Sequence, residues 1–372
     1  MRVVHVASGR LFGGIEQILL TMARSRGVTP DVDVSFAVAA PGRLEEGLRA
    51  SGVEVVMLGD VRLSRPMSVV RARSRLGRFL QLRSGDLMVC HAPWTFALFA
   101  STAARRGLNV AFWQHDHASG RSLVERWSRR TQANLVICNS EWTSRTARVL
   151  QPRAPFVVLH PPVMLSDCPS AGREETRRAL HTGANDVVIL SASRLEPWKG
   201  HLNVLRALGY LSSVPNWTLW IAGGAERPHE REYEGTLRRE VTRLGLSGRV
   251  SFLGERRDIP NLLTAADIFC QFNESPEPFG IVFAEALLSG IPVVAANVGG
   301  VPEIVSENCG RLVPPGDVAA LTVALQQLIL DQPLRSTLGA AGPAHASARC
   351  APGIVLPTLA RVLAPLGAPA RA

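Results

Sequence analysis

Two cations follow an apolar strand in the second half of the chain, and together they could grip an anion. Arg194 and Lys199 lie five residues apart in the turn that joins the apolar run at residues 187–191 to a helical stretch. Arginine offers a planar fork of donors and lysine a compact charge, so the pair could offset the charge of a diphosphate from two sides. Arg194 alone reads as a solvated loop residue, but Lys199 is the only lysine in a chain with 41 basic residues. Lys199 is therefore less easily explained as an ordinary solvated loop residue.

Two acidic residues lie around the start of a later helix. Glu277 precedes the loop Pro278, Phe279 and Gly280, and Glu285 stands about one and a half turns into the helix that follows. Ionised carboxylates only accept hydrogen bonds, so they suit the hydroxyls of a sugar or a ribose, and a helix start offers free N–H groups to an anion. Each acid also has an ordinary interpretation, as a helix-start carboxylate for Glu277 and an exposed helical residue for Glu285.

The order and spacing of four motifs resemble the donor domain of retaining GT-B glycosyltransferases. This group includes glycogen-synthase-related enzymes and bacterial mannosyl- and glucosyltransferases, with domains of the family 4-like and group 1 types. The motifs cover roughly 125 residues in the right order, which is far more specific than a lone glycine motif. They are Arg194-x4-Lys199-Gly200, Glu277-x7-Glu285 around Pro278-Phe279-Gly280, Gly299-Gly300-Val301-Pro302-Glu303-Ile304-Val305, and Gly310-Arg311-Leu312-Val313-Pro314-Pro315-Gly316-Asp317.

The resemblance implies transfer of a hexose from a nucleotide diphosphate sugar, UDP- or GDP-linked, to an acceptor with retention at the anomeric carbon. The implied mechanism is front-face displacement, in which the leaving diphosphate oxygen helps to deprotonate the acceptor. On this interpretation Arg194 and Lys199 stabilise the charge that develops on the diphosphate and act as catalysts, not only as binders. No cofactor and no metal is expected, because Arg, Lys and helix ends do the work of the metal.

The resemblance also assigns donor contacts to the residues of the second motif. Glu285 would accept the ribose hydroxyls, and Glu277 would accept sugar hydroxyls and belong to the catalytic set. The loop residues Pro278, Phe279, Gly280 and Ile281 would line the donor site, with the amides of Phe279 and Gly280 on the sugar or the phosphate. Pro278 stands where many relatives carry glycine, which predicts a stiffer loop.

The first half of the chain resembles the same family more loosely. Gly13 and Gly14 precede a helix and resemble the glycine turn whose amides approach the distal phosphate of the donor, although a simple strand-to-helix turn would look the same. His115, just after a strand, resembles the active-site histidine of the family; His117 is the alternative, and we favour His115. Ser140 is expected to cap a helix and to lie on the acceptor side.

Short apolar runs alternate with helical stretches in both halves, which is typical of a parallel sheet covered by helices. The alternation restarts after residues 161–172, a segment rich in Pro, Ser and Gly that we interpret as a linker. The predicted fold class is α/β, a GT-B arrangement of two Rossmann-like doubly wound domains facing a central cleft. We assign residues 1–165 to an N-terminal acceptor-binding domain and 166–348 to a C-terminal donor-binding domain. Residues 349–372 are predicted to form a helix, at 354–363, and a tail that packs back on the N-terminal domain.

The net charge of +10 lies in the first half, where residues 1–165 carry 22 Arg against 11 Asp and Glu. This asymmetry suggests an anionic or lipid-linked acceptor. Between Arg62 and Arg83 seven arginines alternate with apolar residues, and after Pro66 the pattern predicts an amphipathic helix suited to reversible contact with an anionic membrane. The alternative is a solvated helix whose apolar side packs on its own sheet. Nucleic acid is not an expected partner, since no recognition motif appears.

The remaining features of the sequence predict where in the cell the protein is located and argue against two kinds of metal site. Six cysteines stand singly, so we expect reduced packing thiols and not a zinc site. We found no signal-like segment and no apolar run of ~18 residues, which predicts a cytoplasmic protein, peripheral at the inner face of the plasma membrane. Asp31-Val32-Asp33 has the DxD form of a Mn²⁺ or Mg²⁺ site in a different glycosyltransferase fold, but we interpret it as a solvated strand start. The expected oligomeric state is a monomer or a homodimer.

Two other functions stay open at this point. The first is a nucleotide-sugar epimerase or hydrolase of the same fold, which would use the same grip on the diphosphate without an acceptor. The second is a non-catalytic partner subunit that binds sugar nucleotides. A carbohydrate or lipid-linked acceptor that leads to transfer, in cell-envelope or exopolysaccharide synthesis, distinguishes the main interpretation from both.

Overall fold

The computed structural model describes residues 1–82, 87–165, 171–225 and 227–367. The chain divides into two units, the first formed by Met1–Val163 with Cys350–Ala372 and the second by Met164–Arg349. Arg83, Cys168 and the tail beyond residue 367 lie outside the described residues, as does the middle of the predicted linker.

Unit 1 alternates strands and helices around one parallel sheet. The sheet has the order β3-β2-β1-β4-β5-β6-β7, so the direction of winding reverses between β1 and β4. The strands are β1 (Arg2–Ala7), β2 (Asp33–Val38), β3 (Glu54–Met57), β4 (Leu87–His91), β5 (Asn109–Gln114), β6 (Leu135–Cys138) and β7 (Phe156–Val158). The helices are α1 (Gly14–Arg24), α2 (Arg43–Ala50), α3 (Pro66–Leu82), α4 (Ala92–Ala104), α5 (Leu123–Ser128) and α6 (Glu141–Ala147), with a 3-10 turn at Arg26–Val28.

Unit 2 repeats this plan with six parallel strands in the order β10-β9-β8-β11-β12-β13, and its winding reverses between β8 and β11. The strands are β8 (Val187–Ala192), β9 (Trp217–Ala222), β10 (Val250–Gly254), β11 (Ile268–Gln271), β12 (Val293–Ala296) and β13 (Gly310–Val313). The helices are α7 (Arg173–Ala179), α8 (His201–Gly209), α9 (Pro228–Arg243), α10 (Ile259–Ala265), α11 (Ile281–Leu288), α12 (Val301–Ile304), α13 (Val318–Leu330) and α14 (Gln332–Cys350), with a 3-10 turn at Pro197–Lys199.

Both sheets are buried on their two faces, as their near-continuous runs of Val, Ile and Leu predict. Val3, Val4 and Val6 of β1 are each at most 2% exposed, and β11 is buried throughout. The α/β fold class with two doubly wound parallel sheets is confirmed. In such sheets, ligands bind at the carboxyl ends of the strands where the winding reverses, so β1 with β4 and β8 with β11 indicate where to look for sites.

The last helix, α15 (Pro352–Gly367), belongs to unit 1 and extends beyond both ends of the helix predicted at 354–363. By length and composition alone, the stretch Gln332–Gly367 could cross a membrane. Leu338 of this stretch joins the core of unit 2, and Leu356 and Leu359 are buried in unit 1. The stretch is divided into two helices, α14 and α15.

The arginine-rich helix α3 packs one side on the core of unit 1 and exposes some of its apolar side chains. Leu76 and Leu80 are buried in the core of unit 1, whereas Met67 and Val70 are 60% and 55% exposed. Arg73 contributes to the fold, because its side chain donates a hydrogen bond to the carbonyl of Leu98 at 2.7 Å. Burial and the nearby charge of Arg105 lower the pKa of Arg73.

Smaller predictions have the following outcomes. The cysteines within the described residues, at positions 90, 138, 270, 309 and 350, are buried and form no disulfide with one another. Asp33 begins β2 and Asp31 precedes it, both exposed, and the carbonyl of Asp31 accepts a hydrogen bond from the N-terminus at 3.0 Å. Ser140 caps α6 as predicted, accepting from the amide of Thr143 at 3.0 Å.

Candidate active site

The turn that carries Lys199 is held against the end of the neighbouring strand. After β8 the chain makes the 3-10 turn, and Gly200 closes it with a left-handed φ of 75°. A Cβ at this glycine would lie 1.6 Å from the carbonyl oxygen of Phe272, so no other residue fits without moving the backbone. The amide of Glu274 donates to the carbonyl of Trp198 at 2.8 Å and ties the turn down. The result is that Lys199 is carried across from β8 to the end of β11.

Lys199 and Glu277 meet at the point where the winding of unit 2 reverses. The ammonium nitrogen of Lys199 lies 2.6 Å from Oε2 of Glu277, and the two side chains are 12% and 13% exposed. Asn273 donates to the same oxygen at 2.7 Å, and Gln271 holds Asn273 in place through a 2.8 Å bond to its Oδ1. Within the described residues Oε1 of Glu277 accepts no hydrogen bond. This oxygen is therefore available to a hydroxyl group.

The backbone of Glu277 is fixed by the third sequence motif. The amide of Gly300 donates to the Glu277 carbonyl at 2.7 Å, and Glu277 forms an isolated parallel bridge with Gly299. Gly299 has a φ of 68°, and a Cβ there would approach the same carbonyl oxygen to 2.2 Å. The glycine pair is thus required by the close approach of two backbones, and it places the carboxylate that Lys199 contacts.

Arg194 lies on the same turn but has a different partner. Its guanidinium is 53% exposed and pairs with Oε1 of Glu196 at 2.6 Å. The indole N–H of Trp198 donates to the other oxygen of Glu196, and Arg227 lies 3.9 Å from Oε1. In the described part of the chain, no hydrogen bond or ion pair links Arg194 to Lys199 or to Glu277. The structure therefore brings Lys199 and Glu277 together and leaves Arg194 in a separate, more exposed cluster.

The loop before α11 and its first turns contain the remaining predicted donor residues. Gly280 caps α11 with a left-handed φ of 86°, and Phe279 is 2% exposed in the core. Pro278 precedes them, and Ile281 begins the helix. Glu285 is half-buried, and burial raises the pKa of its carboxyl to about 7. Among the described residues its carboxyl makes no hydrogen bond or ion pair, with Lys199, Glu277 or any other group.

One group of side chains has the ligand types of a metal site. Carboxylate oxygens of Glu196 and Glu230 and a ring nitrogen of His229 lie within 4.8 Å of one another, the one such group in the described ranges. Glu196 already pairs with Arg194, and Glu230 accepts from the amide of Arg227 at 2.9 Å. Two arginines beside these carboxylates oppose the binding of a cation.

In the glycine turn of unit 1, one of the two glycines makes a hydrogen bond within the start of its own helix. Gly13 caps α1, and its amide donates to the Glu16 carboxylate at 3.0 Å. A Cβ at Gly13 would meet nothing closer than 3.8 Å, so packing within the chain does not require glycine there. Gly14 is the first residue of α1 and lies at its positive end.

His115 is buried at the end of β5 and joins two histidines that the sequence did not point out. Its Nε2 lies 2.9 Å from Nδ1 of His91, whose Nε2 lies 2.9 Å from Nδ1 of His5. These three residues are 6%, 1% and 1% exposed. Burial lowers the pKa of His5 and of His115 to about 3, and burial together with its two neighbours lowers that of His91 well below the usual range. His117, the alternative, is exposed and packs on Trp142.

Sequence reasoning also missed polar residues of unit 2. Asn273 and Gln271 are both fully buried and orient Glu277, and their two-residue spacing at a strand end was the available signal. Gly223 was missed as well, although it follows β9 directly. A Cβ there would lie 2.0 Å from the carbonyl oxygen of Ser193, so it keeps the loop that carries Arg194 close to β9.

Two family models match the chain in sequence order. Residues 12–167 match "Glycosyltransferase Family 4" and residues 172–345 match "Glycosyl transferases group 1". The boundary between the two models falls within the proline-rich segment that separates the two sheets.

Relatives and solved structures agree with these matches. A GDP-mannose-dependent monoacylated alpha-(1-6)-phosphatidylinositol monomannoside mannosyltransferase of Corynebacterium glutamicum is 33% identical over 73% of this chain and 74% of its own length. The lipopolysaccharide core biosynthesis mannosyltransferase LpsB of Rhizobium meliloti is 30% identical over 80% of this chain and 85% of its own. The crystal structure of HepE from Anabaena, in complex with UDP and glucose, superposes with a TM-score of 0.84 at 27% identity, over 98% of this chain and 100% of HepE. The chain therefore belongs to the GT-B glycosyltransferases, with a family 4 domain followed by a group 1 domain.

Proposed function

We propose that this glycosyltransferase moves a hexose from a nucleotide diphosphate sugar to an acceptor of the cell envelope, with retention of anomeric configuration and without a metal ion. The observation that carries the proposal is the buried pair of Lys199 and Glu277 where the winding of unit 2 reverses, 2.6 Å apart. A cation and an anion fixed side by side at that place suit a ligand that has both phosphates and hydroxyls.

Each residue of the cluster has a role in this reaction. Lys199 stabilises the diphosphate as it leaves, and Arg194 adds an exposed guanidinium that Glu196 holds in place at 2.6 Å. Oε1 of Glu277 accepts a sugar hydroxyl, while Glu285 accepts the hydroxyls of the ribose. The loop Pro278 to Ile281 lines the donor, with its amides at the start of α11 directed to the sugar or the phosphate.

The surroundings of Glu277 favour front-face displacement over a covalent intermediate. Its Oε2 accepts from the Lys199 ammonium and from the Asn273 amide, and both interactions withdraw electron density from the carboxylate. A nucleophilic carboxylate works best when its charge is free to attack the anomeric carbon. The leaving diphosphate, next to Lys199, is the better base for the acceptor hydroxyl.

We assign the acceptor side to unit 1 in this proposal. The resemblance to the family assigns His115 to the reacting sugar and the Gly13 and Gly14 turn to the distal phosphate. The exposed Met67 and Val70 on α3, beside the exposed Arg71 and Arg78, suit reversible contact with an anionic membrane at its cytoplasmic face. A lipid-linked or anionic acceptor fits this surface, and the names of relatives that act on phosphatidylinositol mannosides and lipopolysaccharide support it.

Mannose is the sugar we propose first, because the relative from Corynebacterium glutamicum is described as GDP-mannose-dependent. Thermal-shift measurements with GDP, UDP and ADP, each with and without its sugar, identify the base, since a ligand that binds the folded state raises its stability. The proposal expects a clear shift with GDP or UDP in wild type and none in Lys199→Ala. The matched control is Arg239→Ala, because Arg239 is an exposed cation on α9 whose side chain donates to Thr236.

Transfer is then measured with the nucleotide sugar that binds and with lipid-linked acceptors, in the presence of a chelator. Proton NMR of the product should show the anomeric configuration of the donor. Inversion of the anomeric configuration would contradict the proposed retention. A requirement for Mn²⁺ or Mg²⁺ would contradict the proposed metal independence. Quantitative epimerisation or hydrolysis of the donor alone would favour an epimerase or hydrolase, and binding without turnover would favour a non-catalytic subunit.

A further inference from the structure

His5, His91 and His115 form a single row of rings across the sheet of unit 1. Val89 is the register partner of His5, and Trp113 is that of His91. His91 lies two residues beyond Val89, and His115 two beyond Trp113. Since side chains alternate along a strand, these steps of two keep all three rings on one face of the sheet. We call this row the histidine ladder.

The ladder is packed as stacked rings with no charged partner among its hydrogen bonds. His91 and His115 stack with centroids 5.1 Å apart, and Trp113 stacks on both at 5.3 and 5.4 Å. Phe36 stacks on His5 at 5.6 Å. A charge in such surroundings is costly, so the rings are neutral at neutral pH. This agrees with the low pKa values of all three histidines.

Neutral rings joined in this way cannot choose their tautomers independently. A neutral imidazole carries one proton, so one of its nitrogens donates and the other accepts. Each hydrogen bond of the ladder joins an Nδ1 to an Nε2 at 2.9 Å. Two consistent arrangements exist: all three rings carry the proton on Nδ1, or all three carry it on Nε2. Any mixture places two lone pairs or two protons against each other.

The free end of the ladder is the Nδ1 atom of His115. This atom is buried and has no hydrogen-bond partner within the described residues. Asn139 donates to the His115 carbonyl at 3.0 Å and so holds the backbone that carries the ring. The backbone is strained here, since Ala92, directly after His91, has a φ of 72°, a conformation that is unfavourable for a non-glycine residue.

We infer that His5 and His91 are positioning residues, which fix the orientation and the tautomer of His115 so that its Nδ1 presents one constant hydrogen-bonding character to the substrate. This inference rests on the proposed function for the identity of the substrate, a sugar hydroxyl at the reaction centre. A buried orienting group beside a reactive histidine has this effect in other enzymes, where loss of the orienting group leaves the geometry but permits the wrong tautomer.

The first test observes the ladder directly and needs no substrate. The full chain is labelled with ¹⁵N in its histidine rings, and NMR measures the scalar coupling between the two nitrogens of each N–H···N bond. The inference expects couplings for His5 with His91 and for His91 with His115, one tautomer in all three rings, and no change in these signals between pH 8 and pH 5. Missing couplings, or two rings in opposite tautomers, would overturn it.

The second test measures what the ladder does for transfer. His91→Phe should lower kcat by at least ~10-fold with little change in the donor KM, because the residues proposed to hold the donor lie in unit 2, apart from the Gly13 and Gly14 turn, and His91 is not one of them. His5→Leu should act in the same direction, and His5→Asn should recover much of the loss, since its amide can donate or accept near the position of Nδ1. Phe112→Leu is the matched control, a loss of buried volume on the opposite face of β5.

The outcomes separate the two proposals. A folded His91→Phe variant whose kcat stays within twofold of wild type, or a His5→Asn variant no better than His5→Leu, would overturn the positioning role. If wild type transfers no sugar at all while the couplings and the single tautomer are present, the proposed function fails and the assignment of His5 and His91 stands. Circular dichroism and thermal unfolding exclude the case in which a variant has simply not folded.

Discussion

Each unit has polar residues where the winding of its sheet reverses. These residues are neutral in unit 1 and charged in unit 2. In unit 1 the residues are three buried histidines; burial lowers the pKa of His5 and His115 to about 3 and lowers that of His91 well below its usual range. In unit 2 they are a lysine and a glutamate in a 2.6 Å ion pair, with Glu285 on the helix that follows. Histidine is ordinarily the residue that titrates near neutral pH. Here the group with a pKa of about 7 is the Glu285 carboxyl.

The difference shows that the surroundings decide which group is charged, more than the residue type does. The ladder contains no anion, so neutral rings that satisfy one another are its stable state. Lys199 has a carboxylate on one side and the ring of Trp198 3.9 Å away on the other, and both stabilise its positive charge. Unit 1 is thus built to hold a proton arrangement constant, and unit 2 to hold fixed charges.

The largest effect should come from removing the central charge of unit 2. Lys199→Ala should reduce transfer by ~10²–10³, which is typical when one donor that stabilises developing charge is lost. Steady-state kinetics with saturating acceptor measure it. Lys199→Arg should recover only part of the activity, because a planar fork does not replace a compact ammonium between Glu277 and Trp198.

The control for charge is Arg239→Ala, which removes a cation from the same unit and should leave kcat within twofold. If Lys199→Ala also stays within tenfold of wild type, then fixed charge is not what unit 2 contributes. The contrast between the units would then be one of packing only.

The sequence predicted the elements well because their signal is local. The predicted alternation is present in both halves, for example in β8 (Val187–Ala192) for the apolar run at 187–191, since buried parallel strands form short apolar runs bounded by polar turns. The last helix was predicted too short, at 354–363, whereas α15 extends from Pro352 to Gly367.

The sequence predicted part of the site. The contacts and residues that it missed depend on which strands pair and in which register. Lys199 stood out as the single lysine, and Glu277 and Glu285 by their spacing within a motif. The bond between Lys199 and Glu277 joins positions 78 apart, which no local pattern reveals. His5 and His91 were missed for the same reason, since a row across three strands appears only once the strands are paired in register.

A second prediction tests whether the position of Lys199 beside Glu277 depends on the close packing of the turn at Gly200. Gly200 and Gly245 both have left-handed φ angles, 75° and 68°, but a Cβ at Gly245 meets nothing within 4 Å. Gly245→Ala should therefore cost only the conformational strain, ~1 kcal/mol. Gly200→Ala should cost a further ~1–3 kcal/mol, because the new methyl group collides with the Phe272 carbonyl. Urea unfolding followed by circular dichroism measures both.

Equal losses for the two glycine variants would show that the turn can move away from β11 freely. Lys199 would then not be held in place by the fold, and the fixed-charge description of unit 2 would weaken. The ladder provides an internal reference, since its ¹⁵N signals in unit 1 should be the same in both variants.

The smallest predicted effect concerns pH and separates the units most directly. Hydroxyl groups that donate to Glu285 favour its ionised form, so donor binding should lower the pKa of this carboxyl from about 7 and release a proton. Affinity should therefore rise with pH, by up to about tenfold between pH 6 and pH 8, and calorimetry in two buffers of different ionisation enthalpy should show the proton release. Glu285→Gln should remove both effects. The same slope in Glu285→Gln would mean that another group titrates, and its loss in His91→Phe would assign it to the ladder instead. In the second case the description of unit 1 as a unit whose proton arrangement stays constant would be wrong.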